Sequence, residues 1–256
     1  MKKTSIWQII IPSVLMMLMM GTVYAWSVFR PHVEASFNVG VAQSGYPYMV
    51  SLFFYALWMM IGGRLLGRFK ARTLALSGAV LIGLGWVLSA LSTSFVVFVL
   101  AYGVLIGSGV GMVYGVPIAL IQTSHLPKQG LYTGIVLSGF GMSPLIGAPV
   151  VLALLSHYDL RTAMLILGVV FLMGLLICVL LLPAQTQQST VSTSNQGSLN
   201  RRGLFVVIYV LFTMATAIGL MMIGLSYNVG LDYYAFDPRI ITALVALFAV
   251  LNGLAR

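Results

Sequence analysis

The chain has 256 residues, 60% of them hydrophobic and only 7% charged, with a mean hydropathy of +1.05. A soluble domain carries roughly 25% charged residues, so this chain has too few to cover its surface in water, and its expected surroundings are a lipid bilayer. Thirteen Lys and Arg stand against four Asp and Glu, a formal net charge of +9, but they sit between apolar stretches rather than on one face, which argues against nucleic acid and for membrane topology.

A helix needs about 20 apolar residues to cross roughly 30 Å of hydrocarbon. Residues 4–29 are uncharged between Lys3 and Arg30, and residues 35–63 between Glu34 and Arg64. Residues 73–127 form 55 uncharged positions, enough for two passes with Ser92-Thr93-Ser94 as the turn. A fifth span fits 131–155, a sixth 162–182 and a seventh 204–225. An eighth begins near Ile240 and runs to Arg256. Lys2-Lys3, an apolar run and Val23-Tyr24-Ala25 resemble a cleavable secretory signal. The apolar run continues through Trp26-Ser27-Val28-Phe29, however, which makes a full span rather than a 7–15-residue signal core. The single cysteine, Cys178, lies in an apolar run, so neither an intramolecular disulfide nor a Cys-based metal site is expected. No cofactor or metal is expected either.

Lys and Arg are retained on the cytoplasmic side of a membrane. The N-terminus and even-numbered connections hold Lys2, Lys3, Arg64, Arg68, Lys70, Arg72, Lys128, Arg201 and Arg202, with no acid. The alternate loops hold Arg30, Arg161 and Arg239 beside Glu34, Asp159, Asp232 and Asp237. This alternation predicts a multi-pass protein of the cell membrane with a cytoplasmic N-terminus. Residues 183–202 are rich in Gln, Ser, Thr and Asn and have little to bury, so they are expected to be a cytoplasmic linker. The expected organisation is a six-helix half over 1–182, a polar linker over 183–202, and the start of a second half over 203–256.

Several segments carry more than topology. The connection between spans 2 and 3 reads Gly63-Arg64-Leu65-Leu66-Gly67-Arg68-Phe69-Lys70-Ala71-Arg72, and an ordinary basic loop also accounts for its charges. Span 4 places Gly103, Gly107, Gly111 and Gly115 four residues apart on one face, joined by Gly109 and Pro117. Small residues at this spacing let helices approach closely in lipid, and packing is the plain explanation. A glycine face also allows sliding or rocking. Span 5 holds Gly134, Gly139, Gly141, Pro144, Gly147 and Pro149, where internal proline bends the helix.

Taken together, these segments resemble the major facilitator superfamily. Gly63, Arg68 and Arg72 match its G-x-x-x-D-R-x-G-x-R loop, with Gly67 in the acidic position and Lys70 in that of the second glycine. In the family the acid helps to hold one side closed, so the resemblance leaves that latch without its acid here. Within the superfamily, residues 21–29 (GTVYAWSVF), residues 107–119 (GSGVGMVYGVPIA), residues 130–136 (GLYTGIV) and residues 252–256 (NGLAR) resemble the oxalate–formate antiporters, which are themselves similar to monocarboxylate carriers. The resemblance implies an all-α, polytopic membrane helix bundle: a major-facilitator-type six-helix N-terminal half plus the start of a second half. It implies alternating-access transport of a small carboxylate, a small organic anion being the expected partner. Tyr24 and Tyr114 match aromatic cavity positions, Trp26 is a looser candidate, and Arg256 matches a helix-8 arginine.

Physical reasoning bears on Arg256 independently. It lies sixteen residues beyond Ile240, about 24 Å along a helix, and a lone arginine at the bilayer centre costs at least about 2.5–3.5 kcal/mol. Such residues commonly face polar cavities, and a guanidinium fork suits a carboxylate. The alternative is an arginine that begins the next loop or snorkels to it. Tyr24 and Trp26 also suit an interfacial belt. No Asp or Glu falls inside the apolar runs, which favours exchange or uniport over proton coupling.

Enzymatic activity is not expected. His32, His125 and His157 fall in or near loops without metal-ligand spacing, and Ser108 in Gly107-Ser108-Gly109 has no base placed to activate it. Twelve helices make a complete carrier of this type, so the chain is expected to need a further portion supplying four more. The rival to a working transporter is a non-transporting remnant. As an isolated polypeptide the 256-residue chain is expected not to transport. Exchange of labelled carboxylate by purified chain in liposomes, above empty vesicles, would contradict that expectation.

Overall fold

Hydrocarbon offers the backbone no hydrogen-bond partner, so each crossing must satisfy its own N–H and C=O groups, and a helix does so within one segment. The computed structural model describes residues 6–124, 128–183 and 202–251, apart from 233, 235, 238–239, 242, 245–246 and 249–250. Every regular element among them is helical. Six helices are long and apolar enough to cross a membrane: Trp7–Phe37, Gln43–Leu65, Ala71–Leu91, Phe95–Thr123, Gln129–His157 and Leu160–Leu181, here spans 1 to 6. A further helix, Arg202–Asp232, is span 7. The polar run 184–201, most of the eighth span's expected end and Arg256 lie outside the described residues.

Spans 2 to 6 stand where the charge-free runs put them, and Ser92, Thr93 and Ser94 separate spans 3 and 4. Span 1 differs. It does not stop at Arg30 but continues to Phe37, with Arg30 and Glu34 on the helix. Its 31 residues measure about 46 Å, more than the hydrocarbon thickness, so its last turns stand at the bilayer rim. The helix ends where Asn38 turns left-handed (φ 51°) and its N–H bonds the Glu34 carbonyl, the usual way to satisfy a terminal carbonyl. In mid-membrane, Gly21–Ala25 tightens to a 3₁₀ turn.

Span 4 lies between spans 2 and 3, span 3 packs along span 6, and spans 5 and 6 pack on span 1. The glycines of span 4 set its distance from span 2. A Cβ on Gly103 would stand 2.5 Å from Val50 Cγ1, and on Gly107 or Gly111 it would overlap the carbonyl oxygen of Ser51 or Tyr55. Gly109, on another face, would meet the Gly78 carbonyl of span 3 at 2.6 Å. Gly115 is different, with only Leu66 Cδ1 at 3.7 Å. Leu100–Ile106, which contains Gly103 and ends just before Gly107, widens to a π-helix.

The connection between spans 2 and 3 turns at Leu66–Arg68, and Gly63 faces open space. Arg72 opens span 3 and donates to the Leu180 carbonyl at 3.0 Å. This satisfies one of the last carbonyls of span 6, where positive charge also suits the helix dipole.

Gly107→Ala and Gly111→Ala are each expected to lower unfolding free energy by about 1–3 kcal/mol through overpacking. Gly115→Ala is expected to be neutral or to stabilise by up to about 1 kcal/mol through helix propensity. Detergent-micelle unfolding followed by far-UV circular dichroism checks this, and equal losses at all three positions would contradict it.

Candidate functional site

Spans 1 and 5 approach closely at Gly21. A Cβ on Gly21 would overlap the Phe140 carbonyl oxygen and lie 2.6 Å from Ser143 Cβ, so only glycine allows these backbones to touch. Beside this contact the buried hydroxyls of Thr22 and Ser143 are 3.4 Å apart, and Pro144 follows, also buried. Pro144 frees a carbonyl one turn earlier, at Phe140, because a proline has no N–H to donate. The polar groups of the 3₁₀ turn and of this kinked stretch thus meet in mid-membrane.

Four aromatic rings from four spans gather at this level. Phe140 is their centre: Tyr24 of span 1 meets it edge-on at 5.1 Å and Tyr114 of span 4 edge-on at 5.2 Å. Tyr55 of span 2 stacks on it at 5.9 Å and meets Tyr114 edge-on at 5.4 Å. Edge-to-face pairs set the positive ring edge against the negative face and are favourable beyond their area. The phenol hydroxyls add hydrogen-bond donors to an otherwise apolar surface. Tyr24, Tyr114 and Phe140 are buried here; on exposure, their ring edges and phenol donors suit an anionic oxygen and their ring faces the plane of a flat solute.

The structure therefore brings Tyr24 and Tyr114 together through Phe140 and does not place Trp26 with them. Two residues on from Tyr24, Trp26 is fully buried in a second cluster, 4.4 Å from Tyr102 and 5.8 Å from Phe29. It is not at an interfacial surface. Arg256 lies outside the described residues, and Gly63, Arg68 and Arg72 lie where span 2 ends and span 3 begins, not at the junction. Tyr55 and Phe140 escaped the reading of the sequence. Phe140 did leave a signal, as the one large side chain between Gly139 and Gly141 in a glycine-rich span. Tyr55 left none.

A second polar feature stands at the rim. Arg30 is only 2% exposed, and its Nε donates to Ser44 Oγ at 3.0 Å while Nη2 donates to the Val41 carbonyl. Ser44 Oγ lies 2.6 Å from Glu34 Oε1 and 2.8 Å from the Val41 carbonyl, acceptors that share its one proton. Trp26 Nε1 donates to the Ser44 carbonyl at 3.1 Å. A buried guanidinium is tolerable only when paired and hydrogen-bonded, and here the connection over residues 38–45 folds back on span 1 to supply the partners. That is why the helix outlasts the charge-free run. Among the described residues no group of His, Cys, Asp and Glu is arranged to hold a metal ion.

Ser44→Ala leaves a buried Nε–H and the Glu34 carboxylate short of a partner and is expected to cost about 1–3 kcal/mol. The exposed Ser156→Ala is expected to change stability by less than about 0.5 kcal/mol. Unfolding of the two variants side by side checks the network, and equal stabilities would contradict it.

Comparison with known proteins gives the same picture of the fold. The uncharacterized MFS-type transporter YhjX of Escherichia coli is 22% identical over 254 residues, which cover 96% of this chain and 63% of that protein. The oxalate:formate antiporter of Oxalobacter formigenes is 25% identical over 260 residues, covering 98% of this chain and 61% of that protein. The chain thus spans about three-fifths of the length of both relatives. The crystal structure of a D-xylose-proton symporter superposes with a TM-score of 0.64 at 17% identity, covering 98% of this chain and 67% of that one. That likeness concerns the fold. The family model described as Major Facilitator Superfamily matches residues 13–256, and this multi-pass helical membrane chain belongs to that superfamily of transporters.

Proposed function

We propose that the junction of Tyr24, Tyr55, Tyr114 and Phe140 is one wall of a cavity through which a small carboxylate anion is carried by alternating access, in exchange or uniport. The observation that carries this reading is the gathering of three phenols around Phe140 at the level where span 1 tightens to a 3₁₀ turn. A relative named for oxalate and formate aligns along nearly the whole chain, and phenol donors with ring edges suit an anionic oxygen. Among the described residues of spans 1 to 6 the one carboxylate is Glu34, at the rim and hydrogen-bonded to Ser44. With no acid at the junction to relay a proton, exchange or uniport fits better than proton coupling.

In this reading Arg256 supplies the positive charge, its guanidinium fork facing the carboxylate, and Trp26 backs the wall rather than touching solute. Further helices beyond those described complete the cavity. The glycine face of Gly103, Gly107, Gly111 and Gly115 with Pro144 lets the spans rock. The loop of Gly63, Arg68 and Arg72 is the switch, tied to span 6 through Arg72. The basic loops hold the N-terminus in the cytoplasm of a cell whose outer boundary is this membrane.

The full-length product of the gene, reconstituted in liposomes preloaded with unlabelled oxalate, is expected to take up labelled oxalate or formate and to leave out oxamide, the neutral analogue of oxalate. Tyr114→Phe removes a phenol donor and is expected to raise KM about tenfold, the worth of one hydrogen bond to a charged group. Equal uptake of oxamide, or no carboxylate uptake at all, would overturn the proposal.

A further inference from the structure

A cavity lies away from the aromatic junction, at the rim that also carries the 38–45 connection. It measures about 240 Å³ and is bounded by the end of span 1, the turn between spans 3 and 4, and the start of span 6. Its deeper wall is apolar, with Phe98, Leu160 and Met164 all buried. Its remaining wall is polar and holds both hydrogen-bond acceptors and donors.

The acceptors come from Ser89, Ser92 and Asp159. Ser89 Oγ donates its proton to the Gly85 carbonyl at 2.6 Å, and Ser92 Oγ to the Ser89 carbonyl at 2.7 Å. Both hydroxyls are buried, and with their protons committed they present lone pairs. Asp159 adds a carboxylate, which the Thr162 hydroxyl holds below the ordinary carboxylate range. The donors are Arg161 and Thr93. Among the described residues Arg161 makes one long bond, 3.5 Å, from Nη2 to the Ser92 carbonyl, and Thr93 is an exposed hydroxyl that also lines the cavity. Arg161 reaches Asp159 through its backbone N–H, and among the described residues no ion pair joins the two side chains. Two opposite charges thus share one cavity without neutralising each other.

We propose that this rim cavity binds a zwitterion with a primary ammonium a few bonds from a phosphate, the phosphoethanolamine group, placing the ammonium against Asp159, Ser89 and Ser92 and the phosphate against Arg161 and Thr93. A guanidinium fork matches phosphate oxygens, while a primary ammonium has three protons for three acceptors. The apolar inner wall suits the glycerol and first methylenes of a lipid at this depth of the bilayer. The same group also exists free in water as O-phosphoethanolamine, and the test separates the two sources. This inference is independent of the carboxylate reading, because it concerns a different face of the bundle.

The test is thermal unfolding of the purified protein in mixed micelles with added phosphatidylethanolamine, phosphatidylcholine or phosphatidylglycerol, and separately with free O-phosphoethanolamine. Phosphatidylethanolamine is expected to raise the unfolding midpoint with saturable dependence. Phosphatidylcholine, whose quaternary ammonium donates no hydrogen bond, and phosphatidylglycerol, which has no ammonium, are expected to do so far less. Arg161→Gln and Asp159→Asn are expected to weaken half-saturation about tenfold each, since each removes a charge-assisted contact. Asn is as well suited as Asp to the N-cap position at the start of span 6, and Thr93→Val, with a smaller effect, is the control should Arg161→Gln fail to fold. A shift with the free compound, lost in the same variants, also supports the site and makes its ligand a soluble zwitterion. Equal shifts from all three lipids, shifts unchanged in the variants, or no shift with any probe would overturn the proposal.

Discussion

Backbone contact between spans 1 and 5 at Gly21 governs the middle of this bundle. With no side chain at Gly21, the Phe140 carbonyl lies against span 1 and Ser143 against Thr22. That proximity fixes where Phe140 points, and three tyrosines from three other spans then pack on one ring. Any larger residue at Gly21 would push the spans apart and separate Tyr24 from Phe140. Span 4 follows the same logic on its own side: its glycines let it lie against the carbonyls of span 2, which brings Tyr114 to Tyr55. In lipid, where apolar side chains gain nothing by leaving the solvent, such close backbone packing is what holds helices in place.

The rim is built on a different principle. There the cost of burying Arg30 is met by Ser44, Val41 and Glu34, and the connection between spans 1 and 2 is held down by the hydrogen bonds that satisfy the charge. Trp26 joins this network through its indole N–H and stacks in the aromatic cluster around Tyr102. Tyr48, four residues beyond Ser44, reaches span 7, its hydroxyl 3.4 Å from the Leu220 carbonyl.

Much of this was legible in the residues, for physical reasons. Charge-free runs of hydrocarbon length located spans 2 to 6, because a charged residue in lipid costs more than any local propensity. The boundary of span 1 was not legible. Arg30 reads as a loop charge until its partners are known, and those partners lie eleven and fourteen residues away. Tyr24 and Tyr114 stood out because they sit in segments similar to a known family. Tyr55 sits in no such segment, and its side chain acquires meaning only when span 4 presents Tyr114 to it. The separation of Trp26 from Tyr24 was equally hidden: neighbours two apart on a helix diverge by about 200° at 3.6 residues per turn, and the tightened turn at Gly21–Ala25 changes that phase.

The central claim, that the rings around Phe140 face a solute cavity, is tested most directly by accessibility at Tyr55. Cys178 is the only cysteine of these 256 residues and is buried, so Tyr55→Cys on a background in which Cys178 and any further cysteine of the full-length product are replaced by serine gives one reporter thiol. In the full-length protein in membranes, this thiol should react with a small water-soluble methanethiosulfonate, and saturating oxalate or formate should slow the reaction. A thiol that does not react, or that reacts at the same rate with and without carboxylate, would contradict the account.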